Sequence, residues 1–92
     1  MNYLLSNSVK VFKAFSDVRR LHILKLLASG EKCACELLED LDIAQSSLSY
    51  HMKILVESGV VESWPEGKWT HYTISEAGSD FAMELMRTFI KQ

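Results

Sequence analysis

Residues 33–55, CACELLEDLDIAQSSLSYHMKIL, constrain this chain more than any other stretch. Leu37, Leu38 and Leu41 recur at helical spacing in the first half, and Leu48, Met52 and Leu55 in the second. Each half therefore presents one apolar face. Asp42-Ile43-Ala44 between them has room only for a turn, with Ile43 placed to fill the angle. A short helix, a tight turn and a longer helix of this kind make a helix-turn-helix, whose second helix enters the major groove of double-stranded DNA.

With Leu48 at the centre of the second helix's buried face, Ser46, Tyr50, Lys53 and Glu57 fall on the far side, flanked by Ser47 and Ser49. That face is small, rich in hydroxyls and led by Gln45 at its N-terminal tip. Gln pairs bidentately with adenine, Ser bonds to either base type, and the helix N-terminus favours a phosphate. The plainer reading of Gln45-Ser46-Ser47 is a solvated first turn, and the flanking segments decide between the two.

Ninety-two residues make one small domain, 1–92, and 48% apolar content is ample for a core with surface to spare for a partner. No run nears the roughly 20 apolar residues that span a bilayer, so no membrane role is expected. Nothing at the N-terminus reads as a secretory signal. Two cysteines two positions apart form no disulfide framework, which points to a reduced, cytoplasmic protein. The net charge of −2 is unevenly spread. Residues 1–35 carry six Lys/Arg against two Asp/Glu, residues 36–66 one against seven, and residues 67–92 three against three. The acidic excess falls on the motif aimed at DNA. Phosphate contacts must then come from Lys53, Lys68 and the basic first third, with modest salt dependence.

Residues 3–15 carry Tyr3, Leu4, Leu5, Val9, Val11, Phe12 and Phe15, more apolar arc than one buried stripe needs. Asp17 caps a second helix through Leu21, Ile23, Leu24, Leu26 and Leu27 that stops at Gly30, with Arg19, Arg20, His22 and Lys25 outside. After the motif, 60–64 and 68–74 are β-branched and aromatic runs joined by Pro65-Glu66-Gly67, which predicts a β-hairpin. Placed directly after a recognition helix, such a hairpin is a wing whose tip, Glu66-Gly67-Lys68, reaches the neighbouring groove or backbone. A last helix over 76–90 carries Phe81, Leu85 and Phe89, again with a wide apolar arc. Two over-apolar terminal helices are expected to meet each other and then a second copy. The inferred homodimer pairs two recognition helices, and so calls for an operator of two-fold symmetry. The expected fold is mainly α with a small β-hairpin: a winged helix-turn-helix of order α-α-α-α-β-β-α. The motif occupies about 33–58, the wing about 60–74, and dimerisation helices about 3–15 and 76–90.

The same order resembles the ArsR/SmtB family of metal-sensing winged-helix repressors over residues 10–75. Three blocks carry the likeness: 14–31, through Asp17, Arg20, Leu21, Ile23 and Leu24; 42–61, through Gln45, Ser46, Ser49, His51, Leu55 and Gly59; and 66–74, through Gly67, Lys68, Trp69, Tyr72 and Ile74. The chain departs from the family at Val18, often Pro, and at Ala44, usually a Ser/Thr cap worth about 1 kcal/mol. The resemblance implies a homodimeric repressor that leaves its operator when an inducer binds; together with the outward face of the second helix and the wing tip, it sets the expected DNA contacts as Gln45, Ser46, Ser47, Ser49, Tyr50, His51, Lys53 and Lys68.

Cys33-Ala34-Cys35, at the start of the first motif helix, resembles the cysteine pair of the family's arsenical and cadmium/lead sensors. A helix N-terminus favours thiolates, soft ligands for thiophilic ions. The implied inducer is trivalent arsenic or antimony, then lead or cadmium, with no other cofactor required. Residues i and i+2 of a regular helix point about 200° apart, so chelation by both requires the first turn to distort. A third cysteine, frequent in the arsenical branch, is Leu38 here, and the upstream cysteine of the cadmium/lead branch is absent. The last helix holds Asp80 and Glu84 but no His, so the family's other metal site is missing, and His22, His51 and His71 are not read as ligands. Alternatives are sensing of thiol oxidation at the same pair, a non-metal signal, or a winged helix used for protein–protein contact. No base stands near the cysteines and no phosphate loop occurs, so the chain is not expected to be an enzyme.

Overall fold

A computed structural model describes residues 3–91. Five helices are present: α1 (Tyr3–Ala14), α2 (Val18–Leu27), α3 (Ala34–Leu41), α4 (Gln45–Glu57) and α5 (Glu76–Ile90). A three-stranded antiparallel sheet of β1 (Lys32–Cys33), β2 (Val61–Glu66) and β3 (Trp69–Ile74) is ordered β1-β3-β2. This is the expected winged helix-turn-helix, with one strand more than the expected hairpin. Residues 32–33 carry no alternation by which a sequence marks a strand. They are extended because β3 offers an open edge, against which Lys32 pairs with Tyr72 and Cys33 with His71.

Local chemistry accounts for the element ends. Asp17 caps α2 by accepting the Arg19 amide at 2.8 Å, and Ser75 caps α5 by accepting the Gly78 amide at 3.0 Å. The wing turns through two residues, Gly67 and Lys68, between the paired Glu66 and Trp69. Gly67 has φ +67°, a conformation that a Cβ disfavours. Pro65, expected in the link, lies within β2 instead, which it enters at no cost because β2 is an edge strand.

The core joins Ala14, Ile23, Leu27, Leu37, Leu48, Met52, Leu55 and Val61, so α4 is packed by α1, α2, α3 and the sheet. A second cluster of Val11, Val60, Ala82 and Leu85 docks α5 onto α1. The two terminal helices do meet, with Phe12 and Phe89 edge-to-face at 5.8 Å. Their outer arcs stay uncovered: Leu5 and Val9 on α1, and Met83, Met86 and Ile90 on α5, are exposed.

Gly78 sits where α5 crosses the end of α4. A Cβ there would lie 2.6 Å from the Gly59 carbonyl carbon and 3.0 Å from Val60 Cα. The Ser75 amide donates to Val60 O at 2.8 Å across the same junction. Glycine is the residue this crossing accepts.

Candidate DNA interface and cysteine pair

Helix α4 runs 13 residues, about 20 Å at 1.5 Å per residue, and its buried side is Leu48, His51, Met52, Ile54 and Leu55. Gln45, Ser46, Ser49, Tyr50 and Lys53 lie on the exposed side, with Ser47 half-buried, as the spacing predicts. Tyr50 is 58% exposed. A shallow groove between this side and the wing is lined by Ser49, Lys53, Ser63, Thr70 and Tyr72. Lys68 stands exposed at the wing turn. The helix starts without a side-chain cap, since Ala44 has no oxygen to offer, so its first amides point outward unpaired by any side chain. Such amides suit a phosphate.

His51 departs from expectation. It is only 6% exposed and faces inward, where its Nδ1 accepts a hydrogen bond from Arg20 Nη1 at 2.8 Å. Arg20, expected outside, is 5% exposed and donates through Nη2 to the Lys13 carbonyl at 3.1 Å. Arginine always donates, so His51 is neutral, with its proton on Nε2. Burial holds its pKa below the ordinary 6.5, partly opposed by the Asp17 carboxylate and reinforced by Arg20 and Arg19. His51 is thus no base contact but a strut joining α4 to α2 and, through Lys13, to α1. Arg20 likewise leaves the set of phosphate contacts. The signal was present: 20, 23 and 27 share one stripe of α2, and 48, 51 and 55 one stripe of α4. Charge and polarity obscured it.

Cys33 is the N-cap of α3 rather than a helical residue, with φ −81° and ψ 160°. The expected distortion of the first turn is therefore unnecessary: an extended Cys33 and a helical Cys35 bring their side chains together at a Cα–Cα separation of 5.2 Å. The two sulfurs are joined as a disulfide, contrary to the expectation of free thiols. Cys33 Sγ also accepts the Glu36 amide at 3.2 Å, while Glu36 Oε1 accepts the Cys33 amide at 2.9 Å. This is a capping box with sulfur in the place of a hydroxyl. Leu38, in the position of a third cysteine, packs against the core. Cys33 is buried and Cys35 half-buried.

The profile described as "Bacterial regulatory protein, arsR family" matches residues 17–63, from the α2 cap through the motif into β2. The chain belongs to the ArsR family. Among curated relatives, an uncharacterised helix-turn-helix-type transcriptional regulator of Methanocaldococcus jannaschii is 43% identical over 68 residues, covering 73% of this chain and 76% of that protein. The arsenical resistance operon repressor of Bacillus subtilis is 36% identical over 74 residues, covering 79% and 70%. Among solved structures, the homodimeric winged helix-turn-helix DNA-binding domain of a possible ArsR-family transcriptional regulator from Mycobacterium bovis superposes with a TM-score of 0.75. It is 30% identical and covers 92% of this chain and 81% of that one. ArsR-family proteins of this fold are DNA-binding transcriptional repressors, a non-enzymatic class. No helix among the described residues is long and apolar enough to cross a membrane.

Proposed function

We propose that this ArsR-family chain is a cytoplasmic homodimeric repressor that holds a two-fold symmetric operator and releases it when trivalent arsenic or antimony bonds to Cys33 and Cys35. Lead and cadmium come next in order. The carrying observation is the meeting of the two sulfurs at the cap of α3, the helix against which the recognition helix is packed. Gln45, Ser46, Ser47, Ser49 and Tyr50 are assigned to base edges and phosphates, Lys53 and Lys68 to phosphates. The exposed arcs of α1 and α5 form the contact between copies, consistent with the homodimeric neighbour.

The donor set suits such an inducer. Two soft sulfurs converge, and the third position falls to water, a small thiol or another side chain, because Leu38 offers no ligand atom. With arsenious acid the exchange is balanced: two S–As bonds form, two As–O bonds break, and the thiol protons leave in two waters. Cys33 Sγ then has a new partner for the lone pair that now accepts the Glu36 amide. Caps with an oxygen acceptor contribute about 0.5–2 kcal/mol, and sulfur accepts more weakly. Allosteric couplings are typically 1–3 kcal/mol, so disturbance of this cap supplies part of one, with the shift of α3 against α4 supplying the rest.

The disulfide supports a second reading, in which a hydroperoxide is the signal. Two thiols and one hydroperoxide give the disulfide, an alcohol and water. Both readings are tested by fluorescence anisotropy on promoter DNA under anaerobic conditions, starting from reduced protein. Release by arsenite that is lost in Cys33→Ser and Cys35→Ser supports metalloid sensing. Release by peroxide, reversed by reductant and absent in the same variants, supports the redox reading. If neither agent releases the DNA, both are wrong, and the pair is packing.

A further inference from the structure

We propose that Glu31, Glu66 and His71 form a binding site for one divalent transition-metal ion of the zinc type at the base of the wing, separate from the cysteine pair.

His71 occupies the middle strand, with Cys33 its partner on β1 and Trp64 its partner on β2. Alternate residues of a strand share a face. Glu66, two positions after Trp64, therefore projects from the same face as His71. Glu31, immediately ahead of β1, approaches from the other side. Its Oε2 lies 2.9 Å from His71 Nδ1, and one ligand atom from each of the three residues lies within 4.8 Å of the other two. The imidazole is held in place: Trp64 stacks on it at 6.0 Å with a 26° tilt, and Trp64 Nε1 donates to Glu66 Oε1 at 3.4 Å. One indole thus positions two of the three groups, as supporting side chains do at metal centres.

The charge is unbalanced as it stands. Among the described residues the ion pairs are Glu31–His71 and Glu84–Arg87, so neither Glu31 nor Glu66 has a lysine or arginine in pairing range. Two carboxylates converge on one imidazole, which carries at most a single positive charge. A dipositive ion offsets both. One imidazole nitrogen and two carboxylate oxygens match the preferences of zinc, with the fourth position left to water. A tetrahedral site with bonds near 2.0–2.2 Å needs ligand atoms roughly 3.4 Å apart, which glutamate rotamer changes bring within reach. A bound ion would tie the wing, beside Gly67-Lys68, to the residue two positions before the α3 cap. The wing would then answer to a harder ion than the thiols select.

The test uses the full chain carrying Cys33→Ser and Cys35→Ser, so that no thiol contributes. Zinc binding is followed by isothermal titration calorimetry, and cobalt binding by its visible d–d bands and by quenching of tryptophan fluorescence. One ion per chain is expected, bound at least about tenfold more weakly after Glu31→Gln or Glu66→Gln and undetected after His71→Gln. Glu39→Gln, on the exposed side of α3, is the control and leaves affinity unchanged. Circular dichroism checks that each variant keeps the fold. Absence of saturable binding overturns the proposal, and so does binding that the glutamine variants leave intact.

Discussion

Replacing His51 with alanine tests the strut between the recognition helix and α2. The substitution removes the acceptor of the Arg20 Nη1 bond and leaves the guanidinium buried, where Nε already lacks a partner. A hydrogen bond to a charged group is worth about 1.5–3 kcal/mol, and removing one partner adds the cost of the uncompensated donor. A loss of about 3 kcal/mol is expected from the two contributions together. For a domain of this size each kcal/mol lowers the melting midpoint by about 4–8 °C, so the midpoint should fall by roughly 12–24 °C. Arg20→Met with His51→Leu, which removes both polar partners, should recover much of that loss, and the double-mutant cycle gives the coupling. The pH dependence has a definite sign. Because the folded pKa of His51 lies below 6.5, the unfolded chain takes up the proton first. The His51 contribution to stability is complete above about pH 6.5 and declines as pH falls from there through the folded pKa, by at most about 1.4 kcal/mol per pH unit. His51→Gln should flatten that portion of the profile. A loss under about 0.5 kcal/mol in His51→Ala, together with an unchanged pH profile, would refute the strut, because surface substitutions alone cost that little.

Gly78→Ala should destabilise by about 1–3 kcal/mol through overpacking against Gly59, whereas an ordinary helical Gly→Ala gains up to about 1 kcal/mol. The sign read from urea unfolding decides it. Ala44→Ser should supply the missing cap of α4 and raise stability by about 1 kcal/mol, seen as a higher urea midpoint at constant slope. Lys53→Ala and Lys68→Ala should each reduce the slope of log affinity against log salt by about 0.9 per copy of the chain on DNA. An unchanged slope removes that lysine from the phosphate contacts. Val9→Glu, on the exposed arc of α1, should convert a dimer of twice the 10.5 kDa chain mass into monomer by sedimentation velocity. A persistent dimer would place the contact between copies elsewhere.

Local periodicity and chain stereochemistry account for much of this molecule. The two motif helices, the capping of α2 by Asp17 and the hairpin about Gly67 follow from side-chain type and spacing over a few residues. So does the outward face of Gln45, Ser46, Ser49, Tyr50 and Lys53. The cysteine pair is legible as a candidate from its spacing, which by itself implies a regular helix beneath it. Only the fold sets Cys33 one residue outside α3, because pairing with His71 on β3 holds it extended. The same holds for Arg20 and His51: their stripes are visible in the sequence, yet a buried arginine becomes tolerable only when a histidine 31 residues away and a carbonyl on α1 come to meet it. Gly78 is an unremarkable helical glycine until α5 crosses the Gly59 carbonyl. Glu31, Glu66 and His71 are scattered residues until the sheet order β1-β3-β2 brings them together. Periodicity reports which side of an element is buried. What that side is buried against depends on contacts between distant residues, which only the tertiary structure supplies.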